Sequence, residues 1–128
     1  MRGVLDTSVF IAKEQRRSID ADRLPDEAAV SVVTLAELDL GVHLARTEVT
    51  RAARLSTVGA VRATYVALPV DEAVASAFAE LVAAARRAGR RPKVQDAWIA
   101  ATARAHSVAV YTQDGDFDDI PGVEVVRV

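Results

Sequence analysis

Cysteine is absent from the 128 residues, which excludes disulfide frameworks, thiolate metal centres and a cysteine nucleophile. Histidine occurs only twice, as His43 and His106, each in a stretch of helical spacing, so no organised imidazole pair is offered for zinc. Aromatic residues make up 5% of the chain, leaving little material for stacking platforms; Trp98 falls on the apolar spacing of its segment and reads as core. No apolar run approaches the roughly 18 residues of a membrane helix. Met1-Arg2-Gly3 leads straight into Val4-Leu5 without the three-part pattern of an export signal. These absences predict a cytoplasmic protein with no membrane association. With a formal net charge of −2, any nucleic-acid contact must rest on a local basic patch.

What is present fits one domain spanning residues 1–128, since this length buries a core without staples and no repeat, linker or low-complexity run divides it. Short β-branched stretches at Gly3 to Leu5, Ala29 to Val33, Tyr65 to Leu68, Val108 to Tyr111 and Val123 to Val126 have strand length and composition. Between them, apolar residues recur every three or four positions: Leu35/Leu38/Val42, Leu55/Val58, Val74/Phe78/Leu81/Val82/Ala85 and Val94/Ala97/Trp98/Ala101. Strands apolar on both faces and separated by amphipathic helices predict an α/β fold, a three-layer α/β/α sandwich around a central parallel sheet.

Ligands in such sheets bind outside the carboxyl ends of the strands, and that is where the acids fall. Asp6 follows Val4-Leu5; Glu37 follows the second strand; Asp96 lies in the first turn of the last long helix; Asp114 and Asp116 follow the fourth strand. Each has a structural explanation of its own. Asp6 can cap a helix, Thr34-Leu35-Ala36-Glu37 is a capping box, Asp96 suits a helix N-terminus, and Asp-Gly-Asp is turn chemistry. Their joint position at one sheet edge is harder to assign to coincidence. Gathered carboxylates repel and protonate unless a cation neutralises them, and an all-oxygen set without Cys or a His pair suits Mg²⁺ or Mn²⁺. Such an ion acidifies water and stabilises charge on a phosphate, which matches phosphodiester hydrolysis.

The strings Leu5-Asp6-Thr7-Ser8, Thr34 with Glu37, Val94-Gln95-Asp96-Ala97-Trp98-Ile99-Ala100-Ala101-Thr102-Ala103 and Thr112-Gln113-Asp114-Gly115-Asp116-Phe117 together resemble the PIN-domain family, and in particular the VapC toxins of toxin–antitoxin modules. The resemblance covers essentially the whole chain. It implies strand order 3-2-1-4-5, a metal-dependent endoribonuclease, and inhibition by a VapB-like antitoxin whose C-terminal segment occupies the acidic groove. It also implies that Asp6, Glu37 and Asp96 hold metal directly or through water, with Asp114, Asp116 or both supplying the last acid, Asp114 favoured. Thr7, Ser8 and Thr112 match small hydroxyl residues that orient carboxylates.

Arg86, Arg87, Arg90, Arg91 and Lys93 form the one concentrated basic patch, just ahead of Asp96; they are expected to hold RNA phosphates at the mouth of the site. The segments 35–45 and 48–63 carry more apolar residues, among them Leu38, Leu40, Val42, Leu44 and Leu55, than one buried stripe needs, as an antitoxin groove or a homodimer surface would. Three competing readings are a catalytically silent PIN module, a HAD-like phosphotransferase and a receiver-like domain. The HAD nucleophile pattern wants Asp-x-Asp where Asp6-Thr7-Ser8 stands. A receiver wants its acceptor Asp after a middle strand, where Asp71-Glu72 marks a helix start.

Overall fold

The five short strands pair only in parallel, because each is joined to the next through helical turns rather than a tight loop. In the computed structural model, which describes residues 1–128, they are β1 (Arg2–Leu5), β2 (Glu27–Ser31), β3 (Val66–Leu68), β4 (Ala109–Thr112) and β5 (Val125–Arg127). The sheet order is 3-2-1-4-5, with Val4 paired to Ala29 on one side and Val110 on the other. β1 is therefore the central strand. A receiver-type sheet of order 2-1-3-4-5 is not what forms, and Asp71 caps a helix by accepting from the Val74 amide at 3.0 Å.

Alternating side chains of β1 divide the core in two, as a strand buried on both faces requires. Val4 joins Leu81, Ile99, Val110 and Phe117 beneath α4 (Glu72–Arg87) and α5 (Val94–Ala105). Leu5 joins Phe10, Val30, Leu38, Val58, Val61 and Tyr111 beneath α1 (Thr7–Glu14), α2 (Val32–His43) and α3 (Glu48–Thr64). The result is the expected three-layer sandwich. Gly3 is required by close approach, since a Cβ there would sit 2.2 Å from the Tyr111 ring.

Several boundaries differ from the sequence expectation. β2 spans Glu27–Ser31, so Val32 and Val33 open a helix rather than close a strand. Their branched side chains favour extended backbone, but pairing with β3 stops at Ser31, opposite Leu68. Ser31 then caps α2 by accepting from the Val33 amide at 3.1 Å. The capping box expected from Thr34 and Glu37 does not form, because both residues already lie inside that helix. β4 runs one residue further than expected, to Thr112, and β5 starts two residues later than expected, at Val125.

Candidate active site

Adjacency of β1 and β4 carries Asp6 to the last residues of β4, with the Asp6 amide donating to the Tyr111 carbonyl at 2.9 Å. Asp6 is 2% exposed, and one oxygen does all its bonding. Oδ2 accepts from the Ser8 hydroxyl at 2.6 Å, the Ser8 amide at 3.3 Å and the Thr112 hydroxyl at 3.0 Å. The capping role and a site role thus coexist, since Oδ1 is left without a protein donor. Ser8 Oγ in turn accepts from the Gln113 amide at 3.0 Å, and Thr112 Oγ1 from the Asp114 amide at 2.9 Å. The two hydroxyls tie the start of α1 to the turn that carries Asp114.

Glu37 is set from the other side. Thr7 donates to Glu37 Oε1 at 2.7 Å, and its hydroxyl lies 3.0 Å from that of the fully buried Thr34. Thr34 is a site neighbour that capping logic missed. A hydroxyl one helical turn before an acid on the same helix face is the signal that reveals it.

Asp96 sits in the first turn of α5, as expected, and is 9% exposed. Neither of its oxygens meets a protein donor, and Oδ2 is the one buried polar side-chain atom in the chain with no hydrogen-bond partner. Such an atom is costly unless another group satisfies it. Burial, followed by the nearby charges of Asp6, Asp116 and Glu37, pushes its pKa up from the ordinary 3.8 to about 7, with Lys93 opposing. Burial likewise raises Asp6, against the pull of the Ser8 and Thr112 hydrogen bonds, with Asp114 adding repulsion. Glu37 is raised by burial against the Thr7 hydroxyl, with Asp6 and Asp114 adding repulsion. The fold therefore brings acids from β1, α2, α5 and the β4 exit within electrostatic reach of one another.

They do not close into a cage: no three His, Asp or Glu side chains are spaced to surround one ion directly. The arrangement fits a hydrated Mg²⁺ or Mn²⁺, which keeps several waters and needs only one or two direct carboxylates. The donor-free oxygens of Asp6 and Asp96 and the all-oxygen character of the set support that fit.

The PIN domain family model matches residues 3–123. The chain belongs to the PIN-domain family. Similar curated proteins include ribonuclease VapC5 of Mycobacterium tuberculosis, 47% identical over 98% of this chain and 95% of that protein. Ribonuclease VapC4 of the same organism is also 47% identical, over 99% and 97%. Among solved structures, the crystal structure of VapBC-5, a member of the VapBC family of toxin-antitoxin systems from Mycobacterium tuberculosis, superposes with a TM-score of 0.92. It is 45% identical, over 99% of this chain and 98% of that one.

Within this PIN domain the basic cluster is not one uniform patch. Lys93 pairs with Asp116 at 2.8 Å, and Arg90 donates to the Asp118 carbonyl at 3.2 Å. Both side chains therefore brace the 3₁₀ turn Gly115–Asp119. The attraction is local, since this turn holds three acids, Asp116, Asp118 and Asp119, and follows directly on a fourth, Asp114. Arg86, Arg87 and Arg91 are exposed and donate to no protein acceptor. Of the apolar surplus on α2 and α3, Leu38 is buried, whereas Leu40, Leu44 and Leu55 are 55%, 65% and 58% exposed. Ile11, Leu38, Gly41, Leu44 and Arg54 line a groove that opens on Glu37. No helix is long and apolar enough to cross a membrane.

Proposed function

We propose that this PIN domain is an endoribonuclease that hydrolyses RNA phosphodiester bonds with Mg²⁺ or Mn²⁺, and acts as the toxin of a toxin–antitoxin pair. The observation that carries the reading is the unpartnered Asp96 Oδ2, buried among acids from separate elements whose carboxyl groups are driven toward protonation. A site so short of positive charge is suited to a divalent cation. The ribonuclease names of the VapC relatives and the toxin-antitoxin context of the VapBC-5 structure support the same reading.

Asp6, Glu37 and Asp96 would hold the ion directly or through its waters, with Asp114 or Asp116 completing the set. When bound, the cation supplies positive charge for the phosphate and acidifies water at the site. Ser8 and Thr112 fix Asp6 through Oδ2, so Oδ1 faces the reaction. Thr7 fixes Glu37 through Oε1 and leaves Oε2 available. The donor-free oxygens of Asp6 and Asp96 would face the ion, and Glu37 Oε2, free of any protein donor, would receive the proton lost by attacking water. Arg86, Arg87 and Arg91 hold RNA phosphates, and Lys93 keeps Asp116 at the mouth. A VapB-like antitoxin segment occupies the groove beside Ile11 and Leu44 and reaches Glu37 at its end; homodimerisation follows from the family resemblance.

The test is cleavage of structured RNA by purified, antitoxin-free protein with Mg²⁺ or Mn²⁺, with an EDTA arm and the Asp6→Asn and Asp96→Asn variants. Cleavage that needs metal and is lost in both variants is expected. Cleavage in EDTA, or cleavage indifferent to both substitutions, refutes the mechanism. RNA binding with no cleavage under any metal leaves the silent PIN module.

A further inference from the structure

Beside the acid cluster, on the opposite flank of the α5 N-terminus, lies a second feature that the proposed hydrolysis does not use. Lys93 and Asp96, three residues apart, face the acids. Val94 and Ala97, also three apart and one position on, face a cavity of about 100 Å³ closed by Phe78, Val82 and Pro92 and flanked by Arg86 and Arg91. Phe78 is stacked on Trp98 with ring centroids 3.8 Å apart and planes 16° from parallel. Both rings are only partly buried, and Val94 is 59% exposed. Trp98 packs against the core as its spacing predicts, and Phe78, stacked on it, lines the pocket. A chain with 5% aromatic residues has placed a stacked pair between α4 and the helix that carries Asp96.

We infer that this cavity is a nucleobase subsite: the base next to the scissile phosphate stacks against the Phe78 side of the pocket while Arg86 and Arg91 hold the flanking backbone. The inference rests on the ribonuclease reading for the identity of the polymer, and deepens it by naming the residues that select a base. Single-stranded RNA is bound by an apolar or aromatic surface for the base and guanidinium groups for phosphate or for stacking. Those two chemistries meet here. The charge also selects the occupant. Arg86, Arg87 and Arg91 have no acceptor in the chain, so a second copy docked face to face would oppose like-charged clusters, whereas a polyanion satisfies them. Asp96 and Ala97 are consecutive on one helix, about 100° apart around its axis, so a strand that crosses the α5 N-terminus meets both the acids and the cavity.

The experiment uses the full chain with Ca²⁺ in place of Mg²⁺, an ion of looser coordination chosen so that binding is read without turnover, and a set of octaribonucleotides, each with one abasic position, read by fluorescence of Trp98, the only tryptophan. One abasic position is expected to weaken binding by about 5- to 100-fold, the increment of one stacked base, and to abolish the Trp98 signal. Its neighbours change affinity little. In Arg86→Gln/Arg91→Gln that penalty shrinks, and the slope of log affinity against log salt flattens by about 1.4, for two single-strand phosphate contacts. Phe78→Leu, which keeps apolar volume, removes the abasic penalty without unfolding the protein, as judged by circular dichroism. Equal affinity for every abasic oligomer overturns the inference, as does no binding to any of them. So does self-association that Val94→Glu abolishes while RNA affinity is unmoved, which assigns the face to a second copy. Since no oligomer is cut, a protein that binds with one sensitive position yet never cleaves RNA fails the nuclease reading and keeps the subsite. A nuclease with no sensitive position does the reverse.

Discussion

Replacing Asp96 with Asn should make the metal-free protein more stable at alkaline pH and leave it no more stable in acid. Asp96 has a folded pKa of about 7 against an ordinary 3.8. A carboxyl group raised on folding binds more protons in the native state than in the unfolded chain. Its contribution is fully present below about pH 4 and is lost as pH rises through 7. That gap corresponds to about 4 kcal/mol if nothing screens it. The site is open to water at its mouth, and screening cuts the usable part to about 1–2 kcal/mol. For a chain of this size that is roughly 3–8 °C in Tm. Calorimetry in EDTA should therefore show Asp96→Asn melting above wild type at pH 8 by about that amount, with the difference reduced to less than half at pH 5 and gone below about pH 4. Comparing the two pH values removes any pH-independent cost of the amide. Adding Mg²⁺ at pH 8 should raise wild type and move the variant less. A variant equal to or below wild type at pH 8, relative to pH 5, refutes the claim that Asp96 carries a repelled charge.

Other perturbations follow from the same geometry. Thr7→Val removes the donor to Glu37 and the contact with Thr34; RNA cleavage should fall by about 10- to 100-fold, with a stability loss of about 1 kcal/mol in urea unfolding. Gly3→Ala drives a methyl into the fully buried Tyr111 ring and should cost about 1–3 kcal/mol, seen as a lower urea midpoint. Leu44→Glu, on the rim of the α1–α2 groove, should leave RNA cleavage intact while weakening inhibition by a VapB-like antitoxin, measured by titration of that partner; unchanged inhibition removes the groove from the interface.

The parallel sheet and the placing of acids at strand exits were legible in the sequence from short-range rules, whereas the strand order 3-2-1-4-5 came from the family resemblance. Val4-Leu5-Asp6 shows a strand buried on two faces and then a polar exit, and parallel topology places that exit beside the end of β4. The start of α2 was not legible. Val32 and Val33 have strand chemistry, and only the end of β2–β3 pairing, a tertiary event, makes Ser31 the cap. The same error produced the capping box and hid Thr34 as a neighbour of Thr7. The division of the basic cluster was hidden for a related reason. Whether Lys93 reaches RNA or Asp116 depends on where the turn at Gly115–Asp119 folds back, which no spacing rule reports. Trp98 packs against the core as its spacing predicts, and Phe78, stacked on it, also lines the surface cavity.

The most direct measurement is equilibrium binding of Mn²⁺ to the purified protein, followed by the loss of its free EPR signal, in wild type and in Asp6→Asn, Glu37→Gln and Asp96→Asn. The account predicts saturable binding in wild type that weakens by tenfold or more, about 1.4 kcal/mol, in each single variant, because acids from three separate elements serve one ion site. Binding of equal strength in all four proteins would contradict it.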